Sequence, residues 1–285
     1  MKKDKKIFKF AFTMPSFIYS FLLILLPLIY ILFLSFCESD SYGGVLYNFN
    51  LNNYIKIFDI TYLKILFKSS LIGLITTIIC ICISYPFALV LREKSERTRN
   101  LVTKLVMIPF LTNSLIRTYG WIVLLRKSGV INNTLLNLNI IDEPLSLMYN
   151  NIGIIIGMVY TLLPFMILPV CSAVFKIDNN LIEAARDLGA KPLQIFKNII
   201  VPQTISGVFN GALMVFIPAI GYFFISDILG GGKVMIIGNL IKNQFLTARN
   251  WPFGSAISIF LIVVTFFLVW IYKKIGGKMD DLGGL

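Results

Sequence analysis

Two acidic residues stand out in this chain of 285 residues because so few charges lie within its apolar stretches. Glu183 opens the short run Glu183-Ala184-Ala185, which a glycine follows at position 189. Asp227 ends an apolar run and is the only acid between residues 188 and 279. An isolated acid beside a membrane span usually faces a water-filled path or a cation. A patterned polar stretch between apolar ones indicates contact with something outside the lipid.

Catalytic and metal-binding chemistry is not expected. The sequence has no histidine, and each of its four cysteines lies inside or at the edge of an apolar run: Cys37, Cys80, Cys82 and Cys171. One residue separates Cys80 from Cys82, so a zinc site or a disulfide framework is not expected. A membrane enzyme would need clustered His, Cys or carboxylates at membrane depth, and the pattern has none.

The composition indicates a membrane protein. Hydrophobic residues make up 57% of the chain and charged residues 14%, and the mean hydropathy is +0.81. A soluble domain of this length could not cover so much apolar surface. The net charge of +12 does not indicate nucleic-acid binding, because the basic residues lie mostly in short loops beside apolar runs.

Six apolar stretches are long enough to cross the hydrocarbon as helices, which takes about 20 residues. We expect an all-α protein, one transmembrane domain over residues 1–285, in which Lys104 and Arg117 interrupt the third stretch. The predicted spans are about 10–37, 66–91, 101–125, 149–175, 202–227 and 251–273. The first run is too long for a typical cleaved signal peptide.

Most of the 26 Lys and Arg residues fall on one side of such a six-span arrangement. They form four groups: Lys2, Lys3, Lys5, Lys6 and Lys9; Arg92, Lys94, Arg97, Arg99 and Lys104; Lys176, Arg186, Lys191 and Lys197; Lys273, Lys274 and Lys278. Because positive loops stay in the cytoplasm, both termini are predicted to be cytoplasmic, in a bacterial inner membrane.

The stretch 178–202, between the fourth and fifth spans, has the pattern of two short helices hinged at Gly189. Asp178 or Asn179 can cap the first helix, and glycine suits its end. The first helix is expected to bury a stripe of Leu181, Ala184, Ala185 and Leu188, and to leave Glu183, Arg186 and Asp187 towards water. Pro192 would open the second helix, which is expected to bury Leu193, Phe196, Ile199 and Ile200 before Pro202 starts the fifth span. The residues alone leave open whether this pair rests on lipid headgroups or docks into a protein cleft.

The same stretch resembles the EAA loop of ABC importer permeases. Glu183-Ala184-Ala185, three residues, Gly189, nine residues, Ile199, one residue and Val201-Pro202 follow the family pattern, with Val201 where leucine is usual. The resemblance implies the type I importer permease fold. It also implies that this coupling loop sits in a groove of a cytoplasmic ATPase, through Glu183, Ala184, Ala185 and Gly189.

Further segments resemble the B-type permease subunits of spermidine/putrescine ABC importers. They are PFLTNSLIRTYGW (109–121), LLPFMILP (162–169), EAARDLGA (183–190), SDILGGGKVMIIGNLIKNQFL (226–246) and NWPFGSA (250–256). The resemblance implies three partners in the lipid bilayer or beside it: an ABC ATPase dimer, a second homologous permease and an extracytoplasmic polyamine-binding protein. No cofactor is expected on this chain, and ATP would be used by the partner, because the chain has no G-x-x-x-x-G-K-[ST] phosphate loop.

A substrate path near the outer membrane level is predicted from Asp227, Tyr222, Trp121, Tyr119 and Asn113. Asp227 lies about 22 Å along a helix from the middle of its run, beyond the hydrocarbon half-thickness of about 15 Å. It could face a cation or cap the glycine turn after it. The aromatic residues could bind ammonium groups or mark the membrane interface, and Asn113 could line the path or bond another helix. Arg117 could pair with Asp227 or reach the headgroups.

Two other transporter hypotheses stay open. An ABC permease for another solute, such as iron, a phosphonate or a sugar, would share parts of these motifs. A secondary transporter would be expected to show ionisable residues near the midplane and inverted repeats, and neither is visible in the sequence.

Overall fold

A computed structural model describes residues 14–15, 18–40 and 43–274. These residues are mainly helical, which confirms the all-α prediction. Lys2, Lys3, Lys5, Lys6, Lys9 and Lys278 lie outside the described residues, as do residues 10–13 and 16–17 of the first predicted span.

The helices are α1 (Ile18–Ser35), α2 (Asn52–Ile57), α3 (Ile60–Arg92), α4 (Glu96–Met107), α5 (Ser114–Leu125), α6 (Val130–Asn137), α7 (Asn151–Phe175), α8 (Asn179–Asp187), α9 (Pro192–Ile195), α10 (Val201–Gly221), α11 (Phe223–Gly230), α12 (Ile237–Leu246) and α13 (Trp251–Lys274). Two short strands, β1 (Glu38–Ser39) and β2 (Val45–Leu46), pair in antiparallel fashion.

Within the described residues, five helical segments are long and apolar enough to cross a membrane: Ile18–Ser35, Ile60–Arg92, Asn151–Phe175, Pro192–Gly221 and Trp251–Ile271. The third predicted span, 101–125, is not one helix. A 3-10 turn at Ile108–Leu111 follows α4, and Thr112 is extended. Asn113 then caps α5 by accepting the Leu115 N–H at 2.8 Å. Pro109, which lacks a backbone N–H, lies in this break. The count of six spans stays a prediction.

The fifth predicted span, 202–227, differs from the structure at both ends. Helix begins at Pro192 and continues to Gly221, so Pro202 does not start it. A π-helical turn, Phe196–Ile200, ends two residues before Pro202, and the widened turn accommodates the missing N–H of the proline. At the other end, Tyr222 leaves helical geometry with ψ +65° and separates α10 from α11. Because the run is apolar on both sides of Tyr222, hydropathy gave no sign of this break.

The described chain forms two compact units, one with residues up to Leu63 and Leu240–Val264, the other with Lys64–Asn239 and the chain from Thr265 on. In the first unit, the end of α1 is bonded to α2. Ser35 Oγ lies 2.7 Å from the Tyr54 hydroxyl, and Asn53 Nδ2 donates to Ser35 O at 3.1 Å. Asp59 caps the start of α3, and the hydrogen bond from the Thr61 N–H holds the pKa of the Asp59 carboxyl below its usual value.

In the second unit, α7 is the central helix, and α10 packs along it through glycines. A Cβ on Gly207 would overlap Ala173 Cβ and lie 2.8 Å from Pro169 O. A Cβ on Gly211 would lie 3.3 Å from Met166 Cα. Small residues let membrane helices approach closely, because apolar burial gives little drive for association inside lipid.

We expect Gly207→Ala to destabilise this packing. The added methyl has no room against α7, and overpacking costs about 1–3 kcal/mol. The thermal midpoint of the detergent-solubilised protein should therefore fall. Gly120→Ala is the matched control, because nothing lies within 4 Å of a Cβ at Gly120. Equal midpoints for the two variants would contradict the close α7–α10 contact.

Candidate functional site

The 178–202 stretch contains two short helices, α8 and α9, which we call the helix pair. Asp178 Oδ1 accepts the Asn180 N–H at 2.9 Å and caps α8. After α8, Gly189 has φ +81°, and the Ala190 N–H returns to Ala185 O at 2.9 Å. This left-handed glycine ends the helix with satisfied carbonyls. The Lys191 N–H donates to Gln194 Oε1 at 2.8 Å at the start of α9.

The buried face of α8 is not the one expected from its pattern. Ile182 is buried, with Ala185 partly buried beside it, in a cluster with Ile177, Ile195 and Ile200. Leu181 and Leu188, which the sequence placed in the buried stripe, are 47% and 88% exposed. A helix of only nine residues can bury either of two apolar stripes, and tertiary contacts decide which of them is buried.

In α9 and the turn after it, the buried residues also differ in part from those expected. Leu193, expected to be buried, is 76% exposed, and Ile195 takes its place in the cluster. Phe196 and Ile199 are partly buried and Ile200 is buried, as expected.

The exposed side of the helix pair therefore includes apolar residues among its charged ones. Leu181, Leu188 and Leu193 lie on the surface, and Ala184 and Gly189 are exposed too. We call these five residues the apolar face. An exposed apolar patch on polar surroundings indicates contact with a protein or a membrane. The small residues within it permit close approach of another backbone.

Glu183 is exposed and lines a cleft of about 680 Å³ between the helix pair and the segment that joins α3 to α4. Other charged residues of the lining are Arg92, Glu93, Lys94, Arg99, Asp178 and Arg186. Arg99 is held over the Phe175 ring, 5.1 Å from its centroid. The mixed charges keep this cleft polar and open to water.

The five predicted path residues each have a different environment. Asp227 accepts a hydrogen bond from Asn239 Nδ2 at 2.6 Å, a partner that sequence reasoning missed. Trp121 packs edge-on against Tyr160 at 5.3 Å, and Tyr222 packs edge-on against Phe224 at 4.9 Å.

The other two path residues are exposed on α5 or at its start. Tyr119 is exposed, and the exposed Asn113 is engaged as the cap of α5. α5 and α11 pack against each other, so the elements that carry Asn113, Tyr119, Trp121 and Asp227 are neighbours. Whether these residues form one path stays a prediction.

Arg117 has an arrangement that the sequence alternatives did not include. Its guanidinium carbon lies 4.6 Å from the Phe110 ring centroid and 5.8 Å from that of Tyr160. Its Nε and Nη1 atoms are buried and have no hydrogen-bond partner among the described residues. Attraction to two aromatic faces offsets part of the cost of burying this cation.

A family profile described as binding-protein-dependent transport system inner membrane component matches residues 6–281. The chain is 43% identical to the spermidine/putrescine transport system permease protein PotB of Haemophilus influenzae, over 93% of this chain and 94% of that protein. It is 44% identical to the protein of that name from Escherichia coli K12, over 89% of this chain and 92% of the relative.

Among solved structures, the fold matches a chain in the crystal structure of a bacterial ABC transporter involved in the import of the acidic polysaccharide alginate. The TM-score is 0.75 with 16% identity, over 96% of this chain and 97% of that one. A chain of the inward-facing MetNI methionine ABC transporter matches with a TM-score of 0.54 and 16% identity, over 75% of this chain and 93% of that one. These likenesses confirm the permease fold of type I importers and carry no information about the solute.

Proposed function

The chain belongs to the family of binding-protein-dependent transport system inner membrane components, and we propose that it is the permease subunit of an ATP-driven importer for polyamines. The observation that carries this proposal is the likeness of 43–44% to spermidine/putrescine permeases over about nine-tenths of the chain. The protein is a multi-pass component of the inner membrane. Both termini and the helix pair lie in the cytoplasm in this proposal, as the distribution of basic residues favours.

In this proposal, the helix pair is the part that a cytoplasmic ABC ATPase dimer moves. The apolar face fits a groove in that partner, and Glu183 supplies a charge at its edge. Burial of apolar area on docking supplies affinity at roughly 25 cal/mol per Å². The hinge at Gly189, with φ +81°, gives the pair its bend. Ala184 lies on the apolar face, where a bulky side chain would hinder contact, whereas Ala185 packs on the inner side and keeps α8 close to its own chain.

ATP is bound and hydrolysed by the partner, and this chain carries no cofactor and no ATPase site of its own. The run Gly230-Gly231-Gly232-Lys233 is only superficially similar to a phosphate loop. It begins at the last residue of α11, and its second and third glycines have φ +58° and +73°, so it forms a tight turn.

The solute path proposed here runs between this chain and a second, homologous permease. An extracytoplasmic binding protein delivers the polyamine at the outer side. Asp227 is proposed to attract an ammonium group, with Tyr222, Trp121, Tyr119 and Asn113 as further contacts. A carboxylate and aromatic faces both suit a flexible chain of ammonium groups.

The proposal is tested by purifying the chain with the products of its neighbouring genes and reconstituting the complex in proteoliposomes. Binding proteins loaded with spermidine, putrescine, ferric ion, a phosphonate or a sugar are added in turn. We expect only the polyamine-loaded protein to stimulate ATP hydrolysis and solute uptake. Stimulation only by a binding protein loaded with one of the other solutes would assign that solute as the substrate in place of a polyamine. A complex without any stimulation would contradict the importer assignment.

A further inference from the structure

The end of α3 is tied to the helix pair by an arginine that the assigned coupling motif does not include. Arg92, the last residue of α3, donates from Nη2 to Ile177 O at 3.1 Å and to Asn179 Oδ1 at 2.6 Å. Ile177 lies just after α7, and Asn179 is the first residue of α8. Arg92 therefore bridges the joint between α7 and α8.

Two more side chains of α3 contact the helix pair on its buried side. Leu89 and Tyr85 pack against the cluster of Ile177, Ile182, Ile195 and Ile200. The Tyr85 ring lies edge-on to Phe196 with 5.5 Å between ring centroids. The Tyr85 hydroxyl is hydrogen-bonded to Thr204 Oγ1 on α10. The attachments at residues 85, 89 and 92 are spaced by four and three residues, so they lie on one face of the helix.

These contacts matter because the chain itself joins the helix pair only to α7 and α10. α3 has no covalent link to the pair, and any force must pass through side chains. Apolar contacts at Tyr85 and Leu89 can slide, whereas a charged donor shared by two oxygens fixes direction and distance. Both hydrogen bonds come from the one nitrogen Nη2, so a lysine ammonium offers enough donors, but its flexible stem and freely rotating group hold the two oxygens less firmly.

We propose that Arg92 is a positioning residue that makes α3 move with the helix pair, so that displacement of the pair by the ATPase reaches a third membrane-spanning helix. The inference rests on the proposed function, because that function supplies the force. α3 has 33 residues and extends about 50 Å at 1.5 Å per residue. It is therefore long enough to cross the membrane from its Arg92 end.

The first test measures solute molecules transported per ATP hydrolysed in proteoliposomes that contain the whole complex. Arg92→Ala should lower this ratio roughly tenfold, which is the effect of losing interaction free energy of about 1.4 kcal/mol. Arg92→Lys should recover only part of it. Asn179→Ala, which removes one of the two acceptors, should give an intermediate loss. Arg97→Ala is the control, because Arg97 is exposed in the same basic segment.

The second test measures the distance between spin labels at Val90→Cys in α3 and Asp187→Cys in α8, through the ATP cycle. Both positions are exposed. Cys82, the exposed native cysteine of the described chain, is replaced by serine, and the other three are buried. With Arg92 present, the distance should stay constant with and without ATP. In Arg92→Ala, it should broaden or change with nucleotide.

An unchanged transport ratio in Arg92→Ala, or an unchanged and narrow distance in that variant, would overturn the inference. Loss of the proposed function has a different signature: a wild-type complex that no loaded binding protein stimulates. In that case the width of the distance distribution without nucleotide still shows whether Arg92 fixes α3 to the helix pair, because that comparison of wild type with Arg92→Ala needs only the folded complex. Arg92→Lys and Asn179→Ala keep the tests informative if Arg92→Ala folds poorly.

Discussion

Leu188→Asp is expected to abolish ATP hydrolysis that depends on the loaded binding protein, while the chain still folds and reaches the membrane. Leu188 is 88% exposed, so the folded chain loses little when this side chain changes. Docking would lose about 1.5–3 kcal/mol of apolar burial, which is roughly tenfold to a hundredfold in affinity. A carboxylate buried without a partner adds a further cost. The measurement is stimulated ATPase activity, with copurification of the ATPase as the binding readout.

Leu188→Met is the matched control, since it keeps an apolar side chain of similar volume. Asn198→Asp controls for the added charge at another exposed position of the same stretch. Glu183→Arg and Gly189→Val should share the loss of coupling. Valine has open space at 189, but φ +81° strains a β-branched residue. Full stimulation in Leu188→Asp would show that the apolar face contacts lipid.

Asp227→Asn is expected to lower polyamine uptake at least tenfold with the complex intact. Asparagine at 227 still offers an oxygen to the Asn239 Nδ2 donor, now 2.6 Å from the carboxylate, so the local fold is kept while the charge is lost. A pair of unit charges 4 Å apart is worth about 4 kcal/mol near a protein surface. Even a third of that free energy corresponds to an about tenfold change in binding affinity. Uptake of labelled spermidine into proteoliposomes measures the effect.

The control measurement for Asp227→Asn is whether the complex still assembles. Assembly is followed by copurification of the ATPase and by ATP hydrolysis without the binding protein. Asp227→Glu keeps the charge and should keep more uptake than Asp227→Asn. Equal uptake by Asp227→Asn and wild type would reduce Asp227 to a structural partner of Asn239. Such an outcome would leave the importer assignment untouched, because that rests on the whole chain.

The membrane spans differ in how well the sequence predicted them. The first, second, fourth and sixth predictions agree with helices of the structure to within several residues at the ends described, because an uninterrupted apolar run of that length has few alternatives. The third and fifth predicted spans contain breaks in the helix that the sequence did not indicate, at Thr112–Asn113 and at Tyr222. A side chain cap and one non-helical residue decide those breaks. Neither changes the average hydropathy of the run.

The features of the candidate site likewise divide into those that the sequence predicts and those that it does not. The bend of the helix pair at Gly189 could be read from the sequence, because glycine at a helix end has a direct conformational cause. The choice of Ile182 over Leu181 as the buried residue could not be read. In lipid and at its surface, apolar residues face other helices, acyl chains or a partner, and periodicity alone does not separate these surroundings. The inner face is selected by packing against α3 and against Ile177, Ile195 and Ile200.

The sequence by itself therefore determined the kind of protein: apolar length set most of the spans, and local spacing from Glu183 to Pro202 identified the loop and the family. The tertiary structure alone decided which side of that loop is free, that Asn239 holds Asp227, and that Arg92 reaches Ile177 and Asn179. The physical reason is the separation along the sequence over which each kind of interaction acts. Hydropathy and helix caps act between residues within a few positions of one another, whereas Arg92 and Asn179 are 87 positions apart and meet only in the folded chain.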